Sequence, residues 1–196
     1  MEAIRCKGHH TIPLIAGAAK SLGMHGLVLD YYPVNMTKQD VSHEPRGSIG
    51  HDLRKTRKRL KRHDNIETIR GVQSQKTLCK MMKQSKCVIF PNTQDASPRM
   101  ITEAIIRGVP VVVNKNIFGG WKYVTETNGI FYDGATSLKP MDKHRDHYTD
   151  EITKALEHIQ SHTYDPKAIQ KEYYSQYGFY RSARRLAKVI NELEGK

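Results

Sequence analysis

Short apolar runs alternate along this chain with segments in which apolar residues recur every three or four positions. Five runs predict buried strands because they are brief and are bounded by polar or glycine positions; they cover residues 26–32, 65–70, 87–90, 109–114 and 129–132. Apolar residues three and four positions apart predict helices at 11–22, around 78–82, from 98 onward, and near 150–161, 166–174 and 180–194. The order of strand, helix and strand is typical of an α/β domain with a parallel sheet.

Polar residues gather where the third and fourth predicted strands end. Ligands of open parallel sheets bind beyond the carboxyl ends of the strands, so these residues are expected to border one crevice; they are Asp95, Ser97, Arg99, Asn114 and Gly119. Ser97 is predicted to cap the following helix, with Pro98 at its first position. The amide groups and positive dipole of such a helix start favour a phosphate ligand. Trp121 and Tyr123, just beyond, are expected in the core.

Length and composition indicate one compact domain. The chain has 196 residues, 38% of them hydrophobic, without a run of eighteen apolar residues or an apolar signal segment. Its three cysteines, Cys6, Cys79 and Cys87, form no C-x-x-C pair and are odd in number. This pattern favours reduced thiols in the cytoplasm and predicts no metal site.

The net charge of +12 is concentrated in one block. Residues 54–62 contain seven basic side chains and no acid. The block could bind an anionic membrane surface or nucleic acid, or it could be a solvated helix face or a mobile insertion. Because residues 42–70 contain no aromatic side chain for base stacking, no specific nucleic acid partner is expected.

Asp95 and Glu103, which have seven residues between them, are followed by Ala104 and by the run Gly-Val-Pro-Val-Val at 108–112. This segment resembles the E-x7-E motif of retaining GT-B glycosyltransferases of family 4 (group 1). The resemblance extends from about residue 5 to residue 134 and includes Lys7 and the stretch 128–132. Asp replaces the usual first Glu, and Ala-Ser-Pro-Arg at 96–99 replaces the common Gly-Phe-Gly.

The resemblance implies a Rossmann-like parallel sheet flanked by helices, equivalent to the C-terminal, nucleotide-sugar-binding half of a GT-B fold. Residues 1–134 would form the donor-binding core, with 33–62 as a loop or basic insertion, and residues 135–196 would add helices to the same domain. The implied reaction is transfer of a sugar from a nucleotide-diphosphate sugar, with retention, to an acceptor that the sequence does not identify. No cofactor is implied.

The resemblance covers only the donor-binding half of GT-B enzymes and leaves the acceptor-binding half to be expected elsewhere. Three accounts follow. The chain is a piece of a larger enzyme, or a donor-binding subunit completed by a separate acceptor-binding domain or subunit, or a non-catalytic basic domain that binds nucleic acid or an anionic membrane. Many members of the family act on acceptors at membranes, which favours a peripheral membrane contact over nucleic acid.

Residue roles also follow from the resemblance. Asp95 would be the catalytic acid that contacts the donor sugar, and Glu103 would accept hydrogen bonds from the ribose hydroxyls. The remaining donor-binding residues, which would surround the diphosphate, are Lys7, Ser97, Arg99, Gly119 and Gly120. The roles have structural alternatives: Asp95 as a turn or capping residue, Glu103 as a buried anchor of the motif loop, Lys7 and Arg99 as solvated surface residues, and the two glycines as a tight turn.

Overall fold

The computed structural model of the chain describes residues 9–30, 56, 58–71, 73–93, 95, 98–136 and 144–194. The strands are β1 (Gly26–Asp30), β2 (Ile66–Arg70), β3 (Val88–Phe90), β4 (Val111–Asn114) and β5 (Gly129–Tyr132). The helices are α1 (Ile12–Ser21), α2 (Gln75–Gln84), α3 (Arg99–Ile106), α4 (Arg145–Ser161), α5 (Pro166–Tyr177) and α6 (Phe179–Leu193).

All strand pairs are parallel, but the hydrogen bonds form two sheets rather than one. The first sheet pairs β1 with β2, with Gly26 opposite Ile66 and Asp30 opposite Arg70. The second has the order β3-β4-β5, with β4 in the centre. Parallel strands share a direction, so the loops that follow β3, β4 and β5 all leave from the same edge of the second sheet.

Strand β4 is apolar on both faces because helices cover both sides of it. Val111, Val112 and Val113 are fully buried, and successive side chains of a strand point to opposite faces. Val112 belongs to one core cluster, whereas Val111 and Val113 belong to the other. The central strand therefore connects two cores.

The first core lies between β4, β5 and the helices α1 and α4. It contains Leu14 and Ala18 of α1, Tyr132 of β5 and an apolar stripe on α4, of which Ile152 is fully buried. Asn65, just before β2, donates hydrogen bonds to the backbone oxygens of Ala16 and Met24, both at 3.1 Å. These bonds attach the first sheet to helix α1.

The second core lies on the other side of β4. Helix α3 contributes Ile101, Ala104 and Ile105, all fully buried, and α5 contributes Ile169. Their spacing follows the helical period, which explains why an eight-residue helix has one continuous apolar face. The cover of α3 by α5 holds the predicted motif helix firmly against the sheet.

The predicted elements are present, with shifted ends. Helices α4 and α5 are longer than the sequence pattern indicated, since α4 begins at Arg145 and α5 ends at Tyr177, whereas α6 is shifted by one residue. Residues 33–55 of the predicted loop or insertion lie outside the described residues. The division of the chain into a donor-binding core that ends at residue 134 and added helices stays a prediction. Within the described ranges, no helix is both long enough and apolar enough to cross a bilayer.

Shortening one buried side chain of the first core should destabilise the fold. Ile152 is fully buried, so Ile152→Ala should lower the free energy of unfolding by about 2–5 kcal/mol in urea titrations. Glu157→Ala, at an exposed position of the same helix, should change it by no more than about 0.5 kcal/mol. Equal losses in both variants would show that α4 does not anchor this core.

Candidate functional site at the carboxyl ends of β3, β4 and β5

The loops that follow β3 and β4 are hydrogen-bonded to each other. The backbone N–H of Phe118 donates to the carbonyl oxygen of Thr93 at 2.8 Å, and Thr93 is buried. Ile117, next to Phe118, is also buried and packs in the second core. The residues predicted to border one crevice are thus carried by two loops that form one surface.

Gly120 brings the second loop onto the start of α3. Its φ is 82°, in the left-handed region, and a Cβ atom built there would lie 2.2 Å from Cγ of Pro98. Only glycine fits this position without displacing the proline ring. Gly119 and Gly120 are expected from the sequence either to line the donor site or to form a tight turn. Both residues are buried, and Gly120 makes a close packing contact.

Helix α3 begins at Arg99, one residue later than predicted, with Pro98 rather than Ser97 in the capping position. Proline has no side-chain group that can accept a hydrogen bond from the first turn. The carbonyl oxygen of Pro98 accepts from the N–H of Ile101 at 3.0 Å, so Pro98 itself leaves the amides of Arg99 and Met100 uncapped. These amides and the helix dipole make the start of α3 attractive to an anion.

Asp95 lies in the loop between β3 and α3. The side-chain amide of Asn92 donates to a carboxylate oxygen of Asp95 at 3.1 Å, and Asp95 is half-buried. This bond across three residues orients the acid at the end of β3, close along the chain to the start of the helix. It is also the kind of bond by which Asp stabilises a turn.

Arg99 and Glu103 lie one turn apart on the same face of α3, opposite the buried stripe. Arg99 is exposed and Glu103 is half-buried. In the part of the chain that the structure describes, neither charged group has an ion-pair or hydrogen-bond partner. The guanidinium of Arg107 contacts the backbone oxygen of Glu103 and Sγ of Cys79 instead of the Glu103 carboxylate.

Asn114 has a structural role rather than the predicted place at the border of the crevice. Its side chain is buried, and its amide donates to the carbonyl oxygen of Ala135 at 3.0 Å. Its Oδ1 accepts from the backbone N–H of Asn116 at 3.1 Å. Asn114 therefore holds the loops after β4 and β5 together, which the position of a polar residue at a strand end does not reveal.

A polar cluster at the ends of β4 and β5 was not found from the sequence. The Asp133 carboxylate accepts from the side-chain amide of Asn116 at 3.0 Å and pairs with Lys115 at 3.1 Å. His147, from helix α4, lies 3.4 Å from the same carboxylate. Lys115 and Asp133 directly follow two parallel strands, and this position could have predicted that they meet. The approach of His147 from α4 could not be predicted, because it depends on tertiary packing.

The cluster controls the ionisation of Asp133. Partial burial alone would raise the pKa of this carboxyl, but hydrogen bonds from Asn116, Lys115 and His147 outweigh burial and hold the pKa below its usual range. Asp133 is therefore a stable negative charge beside the Lys115 ammonium.

Two aromatic side chains at the site face solvent. Phe118 is 77% exposed and Trp121 is 60% exposed, so the prediction that Trp121 belongs to the core is wrong. In this loop Ile117 is the side chain that packs in the second core, whereas Phe118 and Trp121 lie outside it. Tyr123 is half-buried and packs edge-on against Tyr177 of α5, with 5.0 Å between ring centroids.

Two predicted donor-binding residues, Lys7 and Ser97, lie outside the described residues. Asp95, Arg99, Glu103, Gly119 and Gly120 all lie in the loops and helix start at the carboxyl edge of β3 and β4. Among the described residues no group of three or more His, Cys, Asp or Glu could hold a metal ion.

The basic block has both exposed and buried members in its described part. Its exposed basic residues are Lys58, Arg59, Lys61 and Arg62, whereas Leu60 is buried. They lie on a helical turn just before β2. These basic side chains are therefore accessible, and the alternatives of a solvated face and an anionic partner stay predictions.

The comparison with solved structures shows the fold, and none of the comparisons gives a family. The chain aligns with the pneumococcal O-GlcNAc transferase GtfA, whose crystal structure is in complex with UDP and GlcNAc, with a TM-score of 0.54 at 14% sequence identity. The alignment covers 95% of this chain and 32% of that one, so the chain spans about a third of the length of GtfA. No protein-family model and no curated protein matches the sequence.

This likeness confirms the predicted fold class. The chain is an α/β protein with parallel sheets flanked by helices, consistent with the Rossmann-like half of a GT-B fold. At this level of identity the similarity concerns the fold and does not identify the donor or the acceptor.

Adding a methyl group at Gly120 should disturb the site and the fold together. Gly120→Ala should destabilise the protein by about 1–2 kcal/mol from left-handed backbone strain, and by about 1–3 kcal/mol more from overlap with Pro98. Gly23→Ala is the matched control, because Gly23 has φ 67° but open space around it. Urea unfolding of both variants separates strain from overlap; equal losses would contradict the contact with Pro98.

The Asp133 cluster should give pH-dependent stability. Because the folded pKa of Asp133 is lowered, its contribution is present above the unfolded pKa of about 3.9 and is lost as the pH falls through the lower folded pKa. Asp133→Asn should therefore be less stable than the parent at pH 6, and the difference should shrink between about pH 5 and pH 2.5. Asp150→Asn, at an exposed position, controls for net charge; a difference that persists at low pH would rule out ionisation as its cause.

Proposed function

We propose that this chain is the donor-binding half of a retaining GT-B glycosyltransferase of family 4 type. It binds a nucleotide-diphosphate sugar at the carboxyl ends of β3 and β4. The acceptor site comes from a second domain or subunit, and the sugar is transferred to an acceptor that these residues do not identify. The reaction needs no bound metal and takes place in the cytoplasm.

The observation that carries this proposal is the convergence of three features at one sheet edge. Pro98, at the capping position of α3, makes no side-chain cap, and the Gly120 loop packs against it. Glu103 and Arg99 face outward from the first turns of the helix with no partner among the described residues. Such a site combines an anion-binding helix start with a nearby carboxylate acceptor. A nucleoside diphosphate requires this combination, because it carries both phosphates and ribose hydroxyls.

Each residue has one role in the proposal. The amides at the start of α3 and the Arg99 guanidinium stabilise the diphosphate, whose negative charge grows as the glycosidic bond breaks. Glu103 accepts hydrogen bonds from the ribose hydroxyls. Asp95, held by Asn92, contacts the donor sugar near the reacting carbon. Lys7 and Ser97 complete the diphosphate site, and Gly119 and Gly120 form its wall.

UDP is the first nucleotide to test, because the GtfA structure contains UDP. The fold likeness to a protein that binds UDP supports a nucleotide-sugar donor, and the position of the donor at this edge is part of the proposal. Exposed Phe118 and Trp121 border the same loop and would be available to a second domain or to the acceptor.

Nucleotide binding and its dependence on Glu103 test the proposal. We expect calorimetry to detect weak binding of UDP, GDP or ADP to the chain, unchanged by a metal chelator. Glu103→Gln should weaken this binding by about 1.5–3 kcal/mol, because the amide keeps the size of the side chain but removes a charged acceptor. The melting temperature should not change, since the carboxylate has no partner among the described residues.

A matched variant makes the outcome unambiguous. Glu157→Gln, on the exposed face of α4, removes the same charge and should leave nucleotide affinity unchanged. No heat with any of the three nucleotides would refute donor binding. If Glu103→Gln binds like the parent but melts much lower, Glu103 is a structural anchor instead.

A further inference from the structure

Helix α6 packs mainly against α5 among the elements that the structure describes. It follows α5 after a single residue, Gly178, and contacts α5. None of its fifteen residues is buried. An exposed helix of this length is marginal in water unless its apolar face is covered.

The two faces of α6 differ sharply in chemistry. The apolar side chains recur at spacings of three and four; they are Phe179, Ala183, Leu186, Ile190 and Leu193. Phe179 is 80%, Leu186 61% and Leu193 82% exposed. Of the basic residues, Arg181 and Lys188 lie opposite this face, whereas Arg184 and Arg185 lie at the two edges of the basic face, next to the apolar one. No acidic residue precedes Glu192 in the helix.

Aromatic side chains cluster where α5 meets α6. Phe179 and Tyr180 have ring centroids 5.7 Å apart, and both are exposed, as is Tyr174 of α5. Aromatic rings that have an apolar body and, in tyrosine, a polar tip are favoured at the level of lipid headgroups. The exposed aromatic residues therefore extend the apolar face of α6 at its beginning.

The charge pattern selects among the surfaces that could cover this face. Pairing with a second copy would bring Arg184 and Arg185, which border the apolar face, close to the same cations of the other helix. A bilayer that contains anionic lipids supplies both an apolar interior and negatively charged headgroups. Short interfacial helices with Phe and Leu on one face and Lys or Arg on the other bind such surfaces.

We propose that α6 is an interfacial membrane anchor that lies flat on an anionic bilayer. Leu186, Ile190 and Leu193 enter the boundary between headgroups and acyl chains. Arg184 and Arg185 extend from the borders of the apolar face to the phosphates of the lipids. At about 1.5 Å per residue the helix is about 22 Å long, which suits lying on the surface rather than spanning it. This inference does not depend on the donor site.

Vesicle binding of the full chain tests the anchor. The chain should sediment with vesicles of phosphatidylcholine and phosphatidylglycerol, and only weakly with phosphatidylcholine alone. Leu186→Ser with Ile190→Ser should reduce binding at least ten-fold, because it removes apolar side chains that would leave water. Arg184→Gln with Arg185→Gln should reduce it by about 10- to 30-fold at low salt and little at high salt.

A control variant that removes two basic residues elsewhere shows whether the loss of vesicle binding is specific to α6. Lys58→Gln with Arg59→Gln removes the same charge from the basic block before β2, whose side chains are also exposed, and should weaken binding far less. Equal losses in the two charge variants would overturn the assignment to α6 in favour of general attraction by a basic protein.

Further measurements keep the outcome decisive. Thermal unfolding of the Leu186 and Ile190 variant should match that of the parent, since no residue of α6 is buried. If the parent is a dimer by light scattering and this variant a monomer, α6 pairs with a second copy and the proposal is wrong. Failure of the parent to bind anionic vesicles overturns it as well. Nucleotide affinity should be the same in all these variants, which separates this test from that of the donor site.

Discussion

The burial of β4 on both faces is the constraint on which the rest of the structure depends. Val111 and Val113 fill one core and Val112 the other, so neither helix layer can shift without opening a cavity beside this strand. The strand also pairs with β3 and β5 and sets their register. Because its carboxyl end lies between theirs, the residues that follow it are held between two neighbouring loops.

Backbone and amide contacts convert this rigid strand into a defined surface. Asn114 connects the loops after β4 and β5, the bond from Phe118 to Thr93 connects those after β4 and β3, and Gly120 presses against Pro98. A chemically useful site needs its polar groups held on rigid supports, and each support here is buried or hydrogen-bonded. The charged side chains Arg99 and Glu103 extend from this frame toward solvent.

Positive charge is distributed by element, not evenly over the protein. The turn before β2 and the polar face of α6 carry basic side chains with few acids, whereas the strand ends combine acids and bases. Mixed charge suits a ligand that carries both hydroxyls and phosphates, because carboxylates accept from the former and cations bind the latter. Uniformly basic surfaces suit extended anionic partners.

The sequence by itself determined the α/β class, the five strands and the segment from Asp95 to Glu103, because hydrophobic period and local punctuation act over a few residues. Only the tertiary structure decided that Asn114 is buried, that Trp121 is exposed, that Gly120 contacts Pro98, and that His147 joins Asp133. These facts depend on which elements pack together across long separations in the chain. A local pattern does not encode such contacts, because they arise from the shape of the complete core.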